Sequence, residues 1–254
     1  MIISQYPKRA TNRLDKKVEK KMKKLMTAAV MLTAIICTNA NAASVPTHEV
    51  TQAQREQVRI LINAEEMGKI SKFEYRKKLA SCSNSGNAVC SMVLGEDLFN
   101  INRYAEAFPH LIKSSGTMEM NGKLEAVSDS YLGEMYARGL GVPLNTTTAL
   151  RYYKSSALHG DAEAALGIFT LNLHLIKSGE PDSKYHLEQL YKWIIIAHNL
   201  GMDKYKGEDG ETVSTSDQIS MIKGIAEKEL GKAFFAKADE SAAQICSTID
   251  KCVQ

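Results

Sequence analysis

Residues 132–164 read LGEMYARGLGVPLNTTTALRYYKSSALHGDAEA, and this stretch decides the fold. Leu132, Met135 and Tyr136 fall on one stripe at helical spacing, and Ala149, Tyr152, Tyr153 and Ala157 do the same further on. Between them, Gly139-Leu140-Gly141-Val142-Pro143 breaks the pattern, as a tight connection between two helices would. Gly160 stands where the second helix should stop, because a left-handed C-terminal residue suits glycine. The segment is therefore a helix pair with small residues at fixed places and aromatics available to fill the gap to a neighbour.

The same unit recurs on both sides. Helix pairs are expected at 88–99 with 103–115, 122–138 with 146–159, and 161–177 with 183–200. Gly116, Gly160 and Gly201 close the three pairs, and Leu94-Gly95 returns as Leu132-Gly133. Superposed on the closing glycines, Ala105 and Phe108 align with Ala149 and Tyr152, and Tyr152 with Trp193. A period of about 35–45 residues built of helix pairs specifies an all-α fold, an α-solenoid of about three pairs. Ahead of it, Glu49 to Met67 forms one helix, with Val58, Leu61 and Ile62 inward, and Ser71-x-x-Glu74 opens a second toward Ser81. Behind it, Asp217 to Ile249 supplies two helices interrupted near Gly231, after a long polar loop from Asp203 to Ser216. No segment of 43–254 alternates with strand periodicity. The domain reading is thus capping helices in 43–87, repeats in 88–201, and a loop with capping helices in 202–254.

Residues 132–164 resemble a Sel1-like repeat, in Leu132-Gly133-x-x-Tyr136-x-x-Gly139-x-Gly141-Val142, then Ala149-x-x-Tyr152-Tyr153-Lys154, Ala157, Gly160, Ala162 and Ala164. The third pair keeps the second half of the pattern in Tyr191-Lys192-Trp193, Ala197 and Gly201, but Ile168-Phe169 replace Leu-Gly. The first keeps Leu94-Gly95, has a shortened connection, and carries Pro109 inside its second helix. The resemblance implies a tetratricopeptide-like array that binds other proteins. Cys82-x7-Cys90 is similar to the cysteine spacing of a secreted, cysteine-rich subset of such proteins, which implies weak β-lactamase or penicillin-binding activity as an alternative.

Residues 22–42 have the three parts of a secretory signal: a basic start, an apolar run from Leu25 to Cys37, and Ala40-x-Ala42. The run is shorter than the roughly 20 residues a spanning helix needs. Cleavage near Ala42 and a periplasmic or secreted location follow as expectations, with membrane attachment only if the segment is retained. Residues 1–21 form a charged extension ahead of Met22, itself a candidate start. Residues 1–42 carry nine Lys/Arg against Asp15 and Glu19, a charge of +7, so the chain total of +3 leaves −4 for residues 43–254. A mildly acidic mature chain does not fit nucleic-acid binding. It keeps four cysteines, Cys82, Cys90, Cys246 and Cys252, and an even number in an oxidising compartment reads as disulfides. Three connectivities are possible; local pairing, Cys82 with Cys90 and Cys246 with Cys252, is the simplest.

Catalytic patterns are sparse. Ser220-x-x-Lys223 and Lys177-Ser178-Gly179 occur in the wrong order for a serine acyl-transfer site, with no Ser-Asp-Asn between them. His48, His110, His159, His174, His186 and His198 lack metal-ligand spacing and read as solvated or capping residues, His159 at a helix end. Glu208-Asp209-Gly210-Glu211 lacks the alternating ligands of a calcium loop. No catalytic residue, metal or cofactor is expected. Curved helical arrays bind along a concave groove lined by first helices. On the clearest repeat Tyr131, Glu134 and Arg138 lie off the packing stripe and are the candidate partner-binding residues, with Tyr131 the natural anchor. The expected function is an exported protein-interaction scaffold whose partner is another protein. An immunity protein against an exported toxin is the narrower alternative, and a weak cell-wall or β-lactam hydrolase the enzymatic one.

Overall fold

The computed structural model describes residues 50–115, 123–207, 209–250 and 252. The extension 1–21, the signal segment 22–42, His48, Gly116 and Glu208 lie outside the described residues. Ten helices and one hairpin are described, in the order α1 (Gln52–Glu66), α2 (Lys72–Asn84), α3 (Ala88–Asn100), α4 (Tyr104–Ser114), α5 (Lys123–Arg138), α6 (Thr146–Leu158), α7 (Ala162–Ser178), α8 (Ser183–Asn199), β1 (Lys204–Lys206), β2 (Thr212–Ser214), α9 (Thr215–Leu230) and α10 (Lys232–Cys246). The fold is all-α and solenoid-like, as the period predicts.

Local chemistry sets the helix starts. Thr51 and Gln54 form a reciprocal capping box, so α1 begins three residues later than Glu49. Ser71 accepts from the Glu74 amide, Asn145 from Thr148, and Asp161 from Glu163 and Ala164, each satisfying an amide that the helix itself leaves unpaired. The helix α2 runs past Ser81 to Asn84, after which Asn87 caps α3 through the Val89 and Cys90 amides.

The helices pack as α3 with α4, α5 with α6 and α7 with α8. First helices also touch in succession, α3 on α5 and α5 on α7, while α4 meets α5 and α6 meets α7. At one end α1 and α2 pack on α3; at the other α9 and α10 pack on α8. Two glycines show why this sequence can stack. A Cβ on Gly133 would stand 2.5 Å from Tyr153 Cδ1, so only a bare backbone lets α5 and α6 approach with that ring between them. Gly141, in the left-handed region at φ 70°, brings its loop against the start of α4, where a Cβ would lie 2.7 Å from the Ala105 backbone nitrogen. The Gly-x-Gly-Val connection of the second pair is thus seated on the first pair.

The segment Asp203–Ser216 is a correction to the loop expected there. Its strands pair antiparallel with Tyr205 opposite Val213, and Tyr205 packs on Phe169 with ring centroids 5.9 Å apart. The Thr215 hydroxyl donates to the Met202 carbonyl at 2.6 Å and receives the His198 Nδ1 proton at 2.9 Å, which fixes the hairpin base to α8. Strands of three residues are too short to display an alternating pattern.

The cysteines lie in two local pairs at disulfide distance, Cys82 with Cys90 and Cys246 with Cys252, with Cα separations of 5.8 and 5.1 Å. The first ties α2 to α3. The second holds the tail after α10, where Ile249 reaches the turn at Gly160.

Glycine substitutions should show opposite signs. Gly224 on α9 has nothing within 4 Å of its Cβ position, so Gly224→Ala should stabilise by about 1 kcal/mol, the ordinary helix gain. Gly133→Ala should destabilise despite that gain, and Gly133→Leu by ~1–3 kcal/mol or more, because overpacking forces the ring from its place. Urea unfolding measures both; a stabilising Gly133→Ala would remove the helix contact from the account. Reduction should loosen the ends first. Hydrogen exchange should lose protection early around 72–99 and 233–252 while 132–160 holds, and uniform loss would contradict it.

Candidate functional site

The residues Tyr131, Glu134 and Arg138 share one face of α5, the middle of the three first helices that touch in succession. Glu134 and Arg138, one turn apart, form an ion pair. The Arg138 side chain is 62% exposed and that of Glu134 34%, so the pair is available to a partner. Such a pair adds at most about 1 kcal/mol to stability when exposed, so its removal leaves the fold intact.

Tyr131 is placed differently from the free aromatic anchor expected. It is half-buried, its ring centroid lies 4.8 Å from that of Phe99 on α3, and its hydroxyl donates to Glu96 Oε1 at 3.1 Å. Burial, with the Glu96 carboxylate beside it, pushes the phenol up to about 12. Tyr131 is therefore a half-buried joint between the first and second pairs. Glu96 joins the candidate face through it, a residue that the spacing on α5 alone could not select.

A second set of aromatics runs between the same two pairs. Phe108 on α4 meets Tyr136 on α5 at 6.0 Å, Tyr136 stacks on Tyr152 of α6 at 5.8 Å and 7°, and the Arg151 guanidinium lies 5.0 Å from the Tyr152 ring centroid. The alignment of Phe108 with Tyr152 anticipated the ends of this ladder; Tyr136 bridges them. All three rings are half-buried, so their first role is to space the pairs.

Several histidines bridge elements and are not merely solvated. His110 Nδ1 lies 3.2 Å from Ser83 Oγ, which lies 2.8 Å from Ser91 Oγ, while Lys113 Nζ donates to the Ser83 carbonyl. Each serine follows a cysteine of the first pair, so this network and the Cys82–Cys90 link fasten the same corner of α2, α3 and α4. A serine beside a histidine has the look of a nucleophile and base, yet Ser83 and Ser91 are wholly buried and no reacting group could reach them. His186 Nδ1 donates to Asn172 Oδ1 at 2.8 Å, and Asn172 Nδ2 donates to the Ile168 carbonyl at 2.8 Å, joining α8 to α7. His159 donates to the Ser155 carbonyl at 2.8 Å, which is the expected helix-end role.

The two acyl-transfer strings are engaged elsewhere. Lys223 donates to Asp239 Oδ2 at 3.3 Å, and Tyr191 donates to the other oxygen at 2.9 Å, so Lys223 ties α9 to α10. Lys177-Ser178-Gly179 forms a helix end with Gly179 left-handed, where that chemistry would need a strand. Among the described residues no group of three or more His, Cys, Asp or Glu could hold a metal ion, and no helix is long and apolar enough to cross a membrane. Comparison with protein-family models, curated proteins and solved structures finds no match to this chain.

The histidine networks make stability depend on pH. Burial lowers His110, and the Lys113 charge lowers it further; burial also lowers His186, against the opposing pull of Asp182 and Glu180. The unfolded chain, with histidines near 6.5, then binds protons that the folded chain refuses. Stability is full above about 6.5 and falls as the pH drops below it. The urea midpoint should be lower at pH 5.5 than at pH 7.5, with a smaller difference in His110→Gln. A midpoint that rises on acidification would refute the assignment.

Proposed function

We propose that this chain is an exported Sel1-like repeat protein that acts as a scaffold for another protein, held on the face of its first helices. The observation that carries the reading is the unbroken succession α3, α5, α7, with the solvent-facing Glu134–Arg138 pair at its centre. Arrays of this kind bind along the surface that consecutive first helices make. The placement of Tyr131 refines the reading: charge on α5 meets the partner, while the aromatic keeps α3 and α5 in register beneath it. An exported location, after cleavage near Ala42, is supported by two cysteine pairs at disulfide distance, since such pairs persist in oxidising compartments.

Photocrosslinking in the native compartment tests this. A benzophenone amino acid at position 138 should give one discrete protein adduct that the same probe at Lys228, exposed on α9, does not give. Charge reversal by Glu134→Lys should weaken the adduct at 138 with an unchanged melting temperature, because rim charges steer association more than they hold the fold. Adducts at neither position, or equal adducts at both, would defeat the proposal.

A further inference from the structure

The packing leaves the hydroxyl of Tyr153 uncommitted. Tyr153 is only 8% exposed, and among the described residues nothing donates to its hydroxyl or accepts from it. The oxygen nevertheless keeps contact with solvent. Its place follows from two glycines. The helix α6 packs on both α5 and α7, which also touch each other, so the ring enters the seam between these first helices from behind. The base of the ring faces Gly133 of α5, where a Cβ would stand 2.5 Å from Cδ1. Its tip faces Gly167 of α7, where a Cβ would stand 2.8 Å from Cζ, the carbon that bears the hydroxyl.

The hydroxyl therefore ends at α7 beside a residue that has no side chain. On α5, Glu134 follows Gly133 directly and is paired with the exposed Arg138. On α7, Thr170 is exposed one turn beyond Gly167, and its own hydroxyl donates to the Gly167 carbonyl at 3.0 Å. Thr170 is thus engaged within its helix, and Tyr153 supplies the uncommitted group of the seam. Burial first, and then the Glu134 charge, push the phenol up while Arg138 opposes them, so at neutral pH the hydroxyl is a donor. A glycine on a helix face lets another main chain come close. A buried donor is best satisfied by an acceptor brought to it, and the carbonyls of an extended chain are acceptors that need no particular side chain.

We propose that the seam between α5 and α7 receives an extended peptide segment of the partner protein, with the Tyr153 hydroxyl donating to one of its main-chain carbonyls over Gly167. The proposal rests on the scaffold reading above and names the residue of that face that fixes where the partner's chain lies. The Glu134–Arg138 pair, one charge of each sign beside the same seam, then selects the charged residues that flank the bonded carbonyl.

The test uses the mature protein and a displayed library of random peptides. Selection should yield a peptide that binds at one site per chain and competes with the photocrosslinked adduct at position 138. Tyr153→Phe keeps the ring between its glycines and removes only the donor, and it should weaken that peptide by about three- to tenfold, the worth of one hydrogen bond. Replacing the peptide's amides by esters one at a time, which weakens a carbonyl as an acceptor, should find one position that costs binding in the unmutated protein and costs little in Tyr153→Phe. Should Tyr153→Phe fail to fold, Thr170→Trp decides: it adds bulk at an exposed position beside Gly167 and should block the peptide with an unchanged melting temperature. No competing peptide, equal binding by Tyr153→Phe, or equal binding by Thr170→Trp would overturn the proposal. An adduct at 138 that persists through such a failure leaves the scaffold standing without this site, whereas absence of the adduct defeats both.

Discussion

The ring of Tyr153 is held between two glycines, and the stacking of the pairs depends on that grip. Gly133 on α5 faces it from one side, and Gly167 on α7 faces it from the other, where a Cβ would lie 2.7 Å from Tyr153 Cε1. One side chain on α6 thus sets the spacing within the second pair and the spacing to the third. Close-packed interiors transmit such a constraint because the neighbours have no free volume in which to adjust. The first pair uses the same device with a different filler: Gly95 admits Leu111, whose Cδ2 would be 2.7 Å from a Cβ there. In the third pair Phe169 replaces that glycine, and its ring is buried against Tyr205 of the hairpin. The array changes character at this residue, and the hairpin with α9 and α10 covers what a fourth pair would otherwise cover.

Repeat arrays gain stability from nearest neighbours, so their ends have fewer contacts than their middle. This chain reinforces both ends by similar means. At the first, the Cys82–Cys90 pair, the Ser83–Ser91 contact, His110 and Lys113 join three helices at one corner. At the last, the Cys246–Cys252 pair holds the tail while Asp239 links α8, α9 and α10. The middle contains no cysteine between Cys90 and Cys246 and relies on glycines, aromatics and the Ser114–Ser128 contact at 2.7 Å.

The helix pairs were legible in the sequence because punctuation and periodicity agreed. Each of the six repeat helices ends within one residue of the position that the glycines, caps and apolar stripe indicate. What escaped were relations between residues far apart in the chain. Tyr131 reads as an exposed aromatic on α5 alone, and only Phe99 and Glu96 make it a joint. His110, His186 and His198 find partners 14 to 27 residues away on other elements, as Ser83, Asn172 and Thr215 show, so no local spacing signals them. The Glu134–Arg138 pair was legible because a single helical turn brings it together. The hairpin escaped for a different reason, its strands being shorter than the window in which alternation can register.

Lys192 is the sharpest case of this non-local information. In the repeat pattern it occupies an unremarkable place between two aromatics, and on an isolated amphipathic helix it would be solvated. Packing by α7, α9 and α10 covers α8 on several sides, so the run from Leu190 to Ile194 is buried although Lys184 and Tyr185 in its first turn stay exposed. The other buried polar groups of this region are satisfied: Asn172 by Ile168 and His186, and Thr215 by Met202 and His198. The Lys192 stem is enclosed while its Nζ keeps contact with solvent, so burial and solvation divide within one side chain.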